Sequence, residues 1–216
     1  MFLGHFAVGI ALKRTEPRVP LGVWLASTQF LDILWPVFLL LGIEKVAVVP
    51  GITVVTPLDL QVLDWSHSLA MAGLWAALFG AVVYWRVRSL NAFVFSAIGV
   101  LSHWLLDYAT HRADMPLAPH SARYGLALWN SMAGTLVTEL GMFFVALFIY
   151  KHDAKPVKKH AWLHLMIFMG FLTVLYFLAI FGPLPPNNQT VIAISSLALI
   201  PIVIPWANWV DRKLSN

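Results

Sequence analysis

Six stretches of this chain, at 21–43, 66–85, 91–110, 126–150, 160–182 and 190–210, run predominantly apolar for about the length a bilayer requires. A helix rises 1.5 Å per residue, so roughly 20 residues cross the hydrocarbon core. Composition agrees: 60% of residues are hydrophobic, 11% are charged and mean hydropathy is +0.78, too apolar for a soluble domain. The expected fold is all-α, a polytopic transmembrane bundle of about six spanning helices plus a short N-terminal helix. No soluble domain fits between the apolar runs and no internal repeat is visible, so residues 1–216 form one integral membrane domain.

Charge sets the expected orientation. Lys13, Arg14, Arg18, Arg86, Arg88, Lys151, Lys155, Lys158, Lys159, Arg212 and Lys213 fall on one side, 11 of the 14 basic residues. Lys45, Arg112 and Arg123 fall on the other. The positive-inside rule places the first set and the C-terminus in the cytoplasm, and loops 44–65, 111–125 and 183–189 outside. Trp24, Trp85, Trp162, Trp206 and Trp209 near inner ends, with Trp65 and Trp129 near outer ends, fit an aromatic belt. The net charge of +4 is thus a matter of topology, and no nucleic-acid partner is expected.

Phe2–Leu12 stands apart. Its eleven residues rise only about 16 Å, too short to cross. The segment lies at the interface or dips into the bundle, and the second course carries His5 about 12 Å beyond Lys13, towards mid-membrane. Its charges follow the apolar run, unlike a cleavable signal peptide.

Polar residues inside apolar runs point to function. His103-x3-Asp107-x3-His111-x2-Asp114 emerges from the third long run, and four-residue spacing stacks its first three side chains on one helix face. Carboxylates are costly in a bilayer, on the order of 2.5 kcal/mol or more for Asp at a helix centre. A metal or a buried polar site compensates such a cost, and the plainer alternative is an interhelical hydrogen-bond network with no ligand. Asp32 sits eleven residues from each end of its run, Glu139 is similarly deep, and His67 opens the second run. These residues are expected to converge between the midplane and the outer surface. With no cysteine in the chain, His, Asp and Glu are the available metal ligands. Two or three imidazoles with carboxylates suit zinc first, with manganese or iron as further fits.

No serine triad or phosphate-cradling glycine loop is present. Ser66 and Ser68 flank His67 and read as helix-capping or ligand-supporting groups. His152, His160 and His164 belong to the basic loop and the helix after it, and read as solvated. His120, Asp59 and Asp64 read as loop residues. Arg112 and Arg123, on the side where basic residues are scarce, hold an anion or serve the surface. Gly125 to Asn130 reads as a structured loop beside the site, with Asn130 orienting substrate.

Gly4-His5, Leu31-Asp32, Trp65-Ser66-His67-Ser68-Leu69 and Leu101-Ser102-His103-x3-Asp107 together resemble the bacterial inner-membrane "metal-dependent hydrolase" family. That family's pattern has Thr-His near the start, Pro-Asp-x-Asp, Thr-His-Ser-Leu and Ser-His-x3-Asp. The resemblance covers most of residues 1–140 and implies His5, Asp32, His67, His103 and Asp107 as metal ligands. The chain departs at Leu31-Asp32-Ile33-Leu34, which lacks one carboxylate, and at Ser66 in place of threonine. The His-x3-Asp element more loosely resembles zinc-dependent phospholipase C. The resemblance implies a bacterial inner-membrane location. The expected activity is hydrolysis of a phosphoester, lipid or lipid-linked, from the extracytoplasmic side. His5, Asp32, His67, His103, Asp107 and His111 would hold the metal, with Glu139 and Asp114 as catalytic carboxylates. The alternatives are a metal-ion or proton transporter using the same residues, and a non-catalytic scaffold with a structural metal.

Overall fold

A computed structural model describes residues 1–153 and 161–215. His160 and the loop residues Lys155, Lys158 and Lys159 lie outside them. The described residues form eight α-helices and two short β-hairpins. The chain is an all-α, multi-pass membrane protein. Five helices are long and apolar enough to span: α4 (Leu69–Val87), α5 (Leu90–Thr110), α6 (Met132–Asp153), α7 (Ala161–Phe181) and α8 (Gln189–Ser215). The sixth span is broken. α2 (Leu21–Thr28) and α3 (Phe30–Leu40) meet at Gln29 with a 57° bend, so Asp32 lies in the first turn of a helix rather than midway along one. The positive end of the α3 dipole there favours a carboxylate.

α1 (Leu3–Leu12) takes the inward course. Leu3, His5, Ala7 and Ile10 are buried, and the helix packs against α2, α5 and α6. It carries no polar face, and its burial is satisfied by apolar neighbours including Leu21, Leu25, Phe143, Phe168 and Leu172. Glu139 compensates its open N-terminus by accepting hydrogen bonds from the N–H of Phe2 at 2.8 Å and of Gly4 at 3.4 Å.

α4 and α5 form a tight antiparallel pair. Arg88, in the left-handed region at φ 54°, ends α4, and the Ser89 hydroxyl caps α5 by accepting from the Ala92 N–H. This short turn brings His67, just before α4, level with the end of α5 that carries His103, Asp107 and His111. Gly99 allows α2 to approach α5, since a Cβ there would collide with the Ser27 side chain.

On the side of this turn, the Lys13 ammonium donates to Asp211 Oδ2 at 2.8 Å and to the carbonyls of Pro17 and Val19. Asp211 also accepts from the Leu21 N–H, tying the loop after α1 to the end of α8. The opposite side carries the hairpins. β1 (Lys45–Val48) pairs antiparallel with β2 (Leu58–Val62), in the register Val48 to Leu58 and Val46 to Leu60, with an irregularity at Lys45. β3 (Met115–Pro116) pairs with β4 (Arg123–Tyr124). Sequence reading left these segments as loops and began the fourth long run at 126. Residues 126–131 instead form a turn, including a 3₁₀ turn at Leu128–Asn130, and α6 starts at Met132.

Glu16 offers a pH test. Its carboxylate accepts from the Arg18 guanidinium at 2.8 and 2.9 Å and from the Ser89 hydroxyl at 2.6 Å. The Arg18 bonds first, then Ser89, hold its pKa at about 2 against an ordinary 4.5. A depressed carboxylate stabilises the fold above the ordinary value, and that contribution fades as pH falls towards the folded value. Glu16→Gln should therefore melt below the wild type at neutral pH. The gap should narrow as pH drops from 4.5 towards 2, as thermal melts at pH 7, 5 and 3 can measure.

Candidate metal centre

Four segments bring the expected ligands to one place. Asp32 comes from α3, His67 from the segment before α4, His103 and Asp107 from α5, His111 from its end and His5 from α1. His5, His67, His103, Asp107 and His111 are buried, whereas the Asp32 side chain is 42% exposed. Asp32, His67, Asp107, His111 and Glu139 line a cavity of about 200 Å³, roofed by Val55, Thr56, Leu58 and Leu60.

The partner of each Nδ1 decides which way its ring nitrogens point. The His103 Nδ1 lies 2.7 Å from the carbonyl of Thr28, which can only accept, so Nδ1 carries the proton. The His67 Nδ1 is 2.6 Å from Ser66 Oγ. That hydroxyl is 2.6 Å from Glu44 Oε2, to which it donates, leaving its oxygen to accept from His67. Glu44 is fully buried and also accepts from the N–H of Trp65 and Ser66. The His111 Nδ1 is 3.0 Å from Asp114 Oδ1. In the neutral tautomers these contacts favour, Nε2 of each imidazole is the ligating nitrogen, and His67 and His111 line the cavity.

Those nitrogens meet two carboxylates. His67 Nε2 and His103 Nε2 are 3.3 Å apart. Asp32 Oδ1 lies 3.5 Å from the first and 3.7 Å from the second. Asp107 Oδ2 lies 3.7 Å from His67 Nε2 and 3.1 Å from His103 Nε2. Four ligands bonded about 2.0–2.1 Å from a tetrahedral zinc stand roughly 3.3 Å from one another. Asp32, His67 and His103 thus lie close enough together to share one metal ion, as do His5, His103 and Asp107, and Asp107 stands beside both histidines of the first set. In the neutral tautomers the two nitrogens at 3.3 Å would repel, and either a shared proton or a metal ion relieves the contact, with the carboxylates supplying compensating charge.

His5 and His111 attend the other oxygen of Asp107. His5 Nε2 is 3.0 Å and His111 Nε2 is 3.6 Å from Oδ1, which also meets the Met1 amino nitrogen at 2.5 Å. The His5 ring stacks on His103 at 3.7 Å, and its Nδ1 has no hydrogen-bond partner. A second ion on His5, His103 and Asp107 would displace the Met1 contact. An ion on Asp32, His67 and His103 leaves that contact intact.

The carboxylates expected to be catalytic occupy different positions. Glu139 faces the cavity while anchoring α1. Asp114 stands behind His111 and contacts Arg112 Nε at 3.5 Å. Arg112 pairs with Asp59, while Arg123 and His120 both pair with Asp64, which accounts for these residues within the hairpin side. Asn130 does not line the cavity, but its neighbour Trp129 does, stacked on His111 at 4.1 Å. Gly125 permits this loop to close, because a Cβ would run into the carbonyls of His111 and Arg112. Ser68 caps α4 by accepting from the Met71 N–H. His164 packs on Trp209, remote from the site.

Glu44, Thr28 and Trp129 escaped sequence reading. Thr28 acts through its carbonyl, which no side chain announces. Glu44 is an acid beside Lys45, 22 residues before Ser66, with no motif linking them. Compared with known proteins, the chain matches no family model, no curated protein and no solved structure.

Ser66 is a positioning residue, and its removal should be felt at the metal. Ser66→Ala takes the acceptor from His67 Nδ1 and should weaken zinc binding about 10–100-fold by competition titration. Ser66→Thr, which keeps the hydroxyl, should restore it; equal affinity in all three proteins would remove the relay's role.

Proposed function

We propose that this protein is a membrane-embedded metal-dependent hydrolase, with one zinc ion held by Asp32, His67 and His103 beside Asp107. The observation that carries this reading is the pair of imidazole Nε2 atoms 3.3 Å apart beside two carboxylates. It agrees with the family resemblance, whose motifs contain the same four residues. Zinc in such a site acidifies water and polarises an oxygen of a bound phosphoryl group.

The substrate is a phosphoester, in keeping with a small, partly polar cavity roofed by a hairpin on the side away from the basic loops. By charge distribution that side is extracytoplasmic, and the resemblance favours a bacterial inner membrane. In the reaction, a water oxygen bonds to phosphorus and the ester P–O bond breaks. Glu139, on the cavity wall, takes the proton from water and returns it to the leaving alkoxide. Asp114 holds His111, and His5 and His111 support the distal oxygen of Asp107.

The rival reading, transport of a metal ion or proton, requires a polar route to the basic side. Leu3, Phe6, Ala7 and Ile10 of α1 are buried instead among Leu21, Leu25 and Leu172. The centre thus rests on an apolar floor, which favours chemistry over passage.

Metal analysis of the purified protein should find zinc near one equivalent per chain. His103→Ala and Asp107→Ala should each lose it, whereas Glu139→Gln should keep the metal and lower hydrolysis of bis(p-nitrophenyl) phosphate by ~10²–10⁴-fold. Full zinc content in either alanine variant would refute the ligand assignment.

A further inference from the structure

A second cavity, of about 190 Å³, opens beside the first between α1, the α2–α3 break and α8. It is lined mainly by apolar side chains, among them Phe6, Ile33, Leu199, Ile200 and Val203. Phe2, Asp32 and Trp35 belong to the walls of both cavities, so the apolar groove leads directly to a proposed zinc ligand.

Its depth is informative. α8 begins at Gln189 on the hairpin side, where the Gln189 side chain bonds the Val46 N–H and the Leu39 carbonyl. Counting 1.5 Å per residue from there, Ser196 to Ile204 run about 10 to 22 Å into the membrane. The polar cavity sits under the hairpin and the groove continues from it towards the bilayer centre. That is the order of headgroup and acyl chain in a phospholipid of the hairpin-side leaflet.

Two buried donors at this junction lack partners. The Trp35 Nε1 and the Tyr176 hydroxyl have no hydrogen-bond acceptor, although Trp35 is 8% and Tyr176 1% exposed. Buried indole N–H and phenol O–H groups ordinarily find partners, and an unmet one costs about 1–3 kcal/mol. Trp35 lines both cavities, and Tyr176 lines the polar one. Oxygen atoms of a phosphate and its glycerol ester supply acceptors at that level, and a hydrocarbon chain supplies none.

We infer that the groove seats an acyl chain of a membrane phospholipid whose phosphate enters the polar cavity, with Trp35 and Tyr176 as its hydrogen-bond donors. This rests on the hydrolase reading for the reaction but not for the binding. The test uses the full-length protein in phosphatidylcholine nanodiscs, doped with phosphatidylglycerol or diacylglycerol carrying a diazirine on one acyl chain. Photolabelling of the α8 segment 196–204 should be about tenfold stronger with the phosphatidylglycerol probe. Leu199→Trp, which fills the groove, should abolish that labelling while zinc content stays at the wild-type level. Tyr176→Phe, which removes a hydroxyl with no partner in the fold, should reduce labelling without lowering the melting temperature. Equal labelling by both probes, or labelling unchanged by Leu199→Trp, would overturn the inference, since ordinary lipid contact behaves so. Phosphate-dependent labelling in a protein that binds no zinc would leave the lipid site standing and remove the hydrolytic reading.

Discussion

The arrangement depends on one electrostatic constraint. His67 and His103 each have their Nδ1 against an acceptor, so their Nε2 atoms face each other at 3.3 Å inside a membrane bundle. At low dielectric such a contact is unfavourable unless positive charge lies between the nitrogens. Asp32 and Asp107, costly in the same place on their own, become favourable once that charge is present. Imidazoles and carboxylates are thus each other's explanation, and a cation joining them is what the proposed function adds.

The fold meets this constraint by irregularity at particular points. A straight second span would carry Asp32 as an isolated mid-helix acid. The bend at Gln29 places it in the first turn of α3 and frees the Thr28 carbonyl for His103. α1, too short to span, enters from the basic side and brings His5 to the depth of His103, while Glu139 satisfies its exposed N–H groups. The Lys13–Asp211 pair holds that entry closed from below. The hairpins above hold the ends of α4 and α5, and Glu44, from the segment before β1, fixes the ring of His67 through Ser66.

Much of this was legible in the sequence, because hydrophobic length and helical spacing are local properties. The long apolar runs marked the spans, and the four-residue steps from His103 to His111 marked one face of α5. Polar residues at membrane depth, Asp32 above all, marked the site because hydrocarbon tolerates them only with a partner. Other features were hidden for physical reasons. The break at Gln29 has no glycine beside it, and Pro36 lies about two turns further on, inside α3. The support from Thr28 is a main-chain carbonyl, and Glu44 reaches His67 only through the folded hairpin segment. Depth in the membrane marks Glu139 as a candidate catalytic base, and the structure adds a second task, capping α1. The apolar groove beside Asp32 arises from the packing of α3 against α8, a contact between segments over 150 residues apart that no local pattern encodes.

The most direct test is X-ray absorption at the zinc edge of the purified, zinc-loaded protein. The account predicts a four-coordinate shell of nitrogen and oxygen at about 2.0–2.1 Å, with outer-shell scattering from two imidazole rings. A six-coordinate, all-oxygen shell without imidazole scattering, or a protein that takes up no zinc while remaining folded, would contradict it.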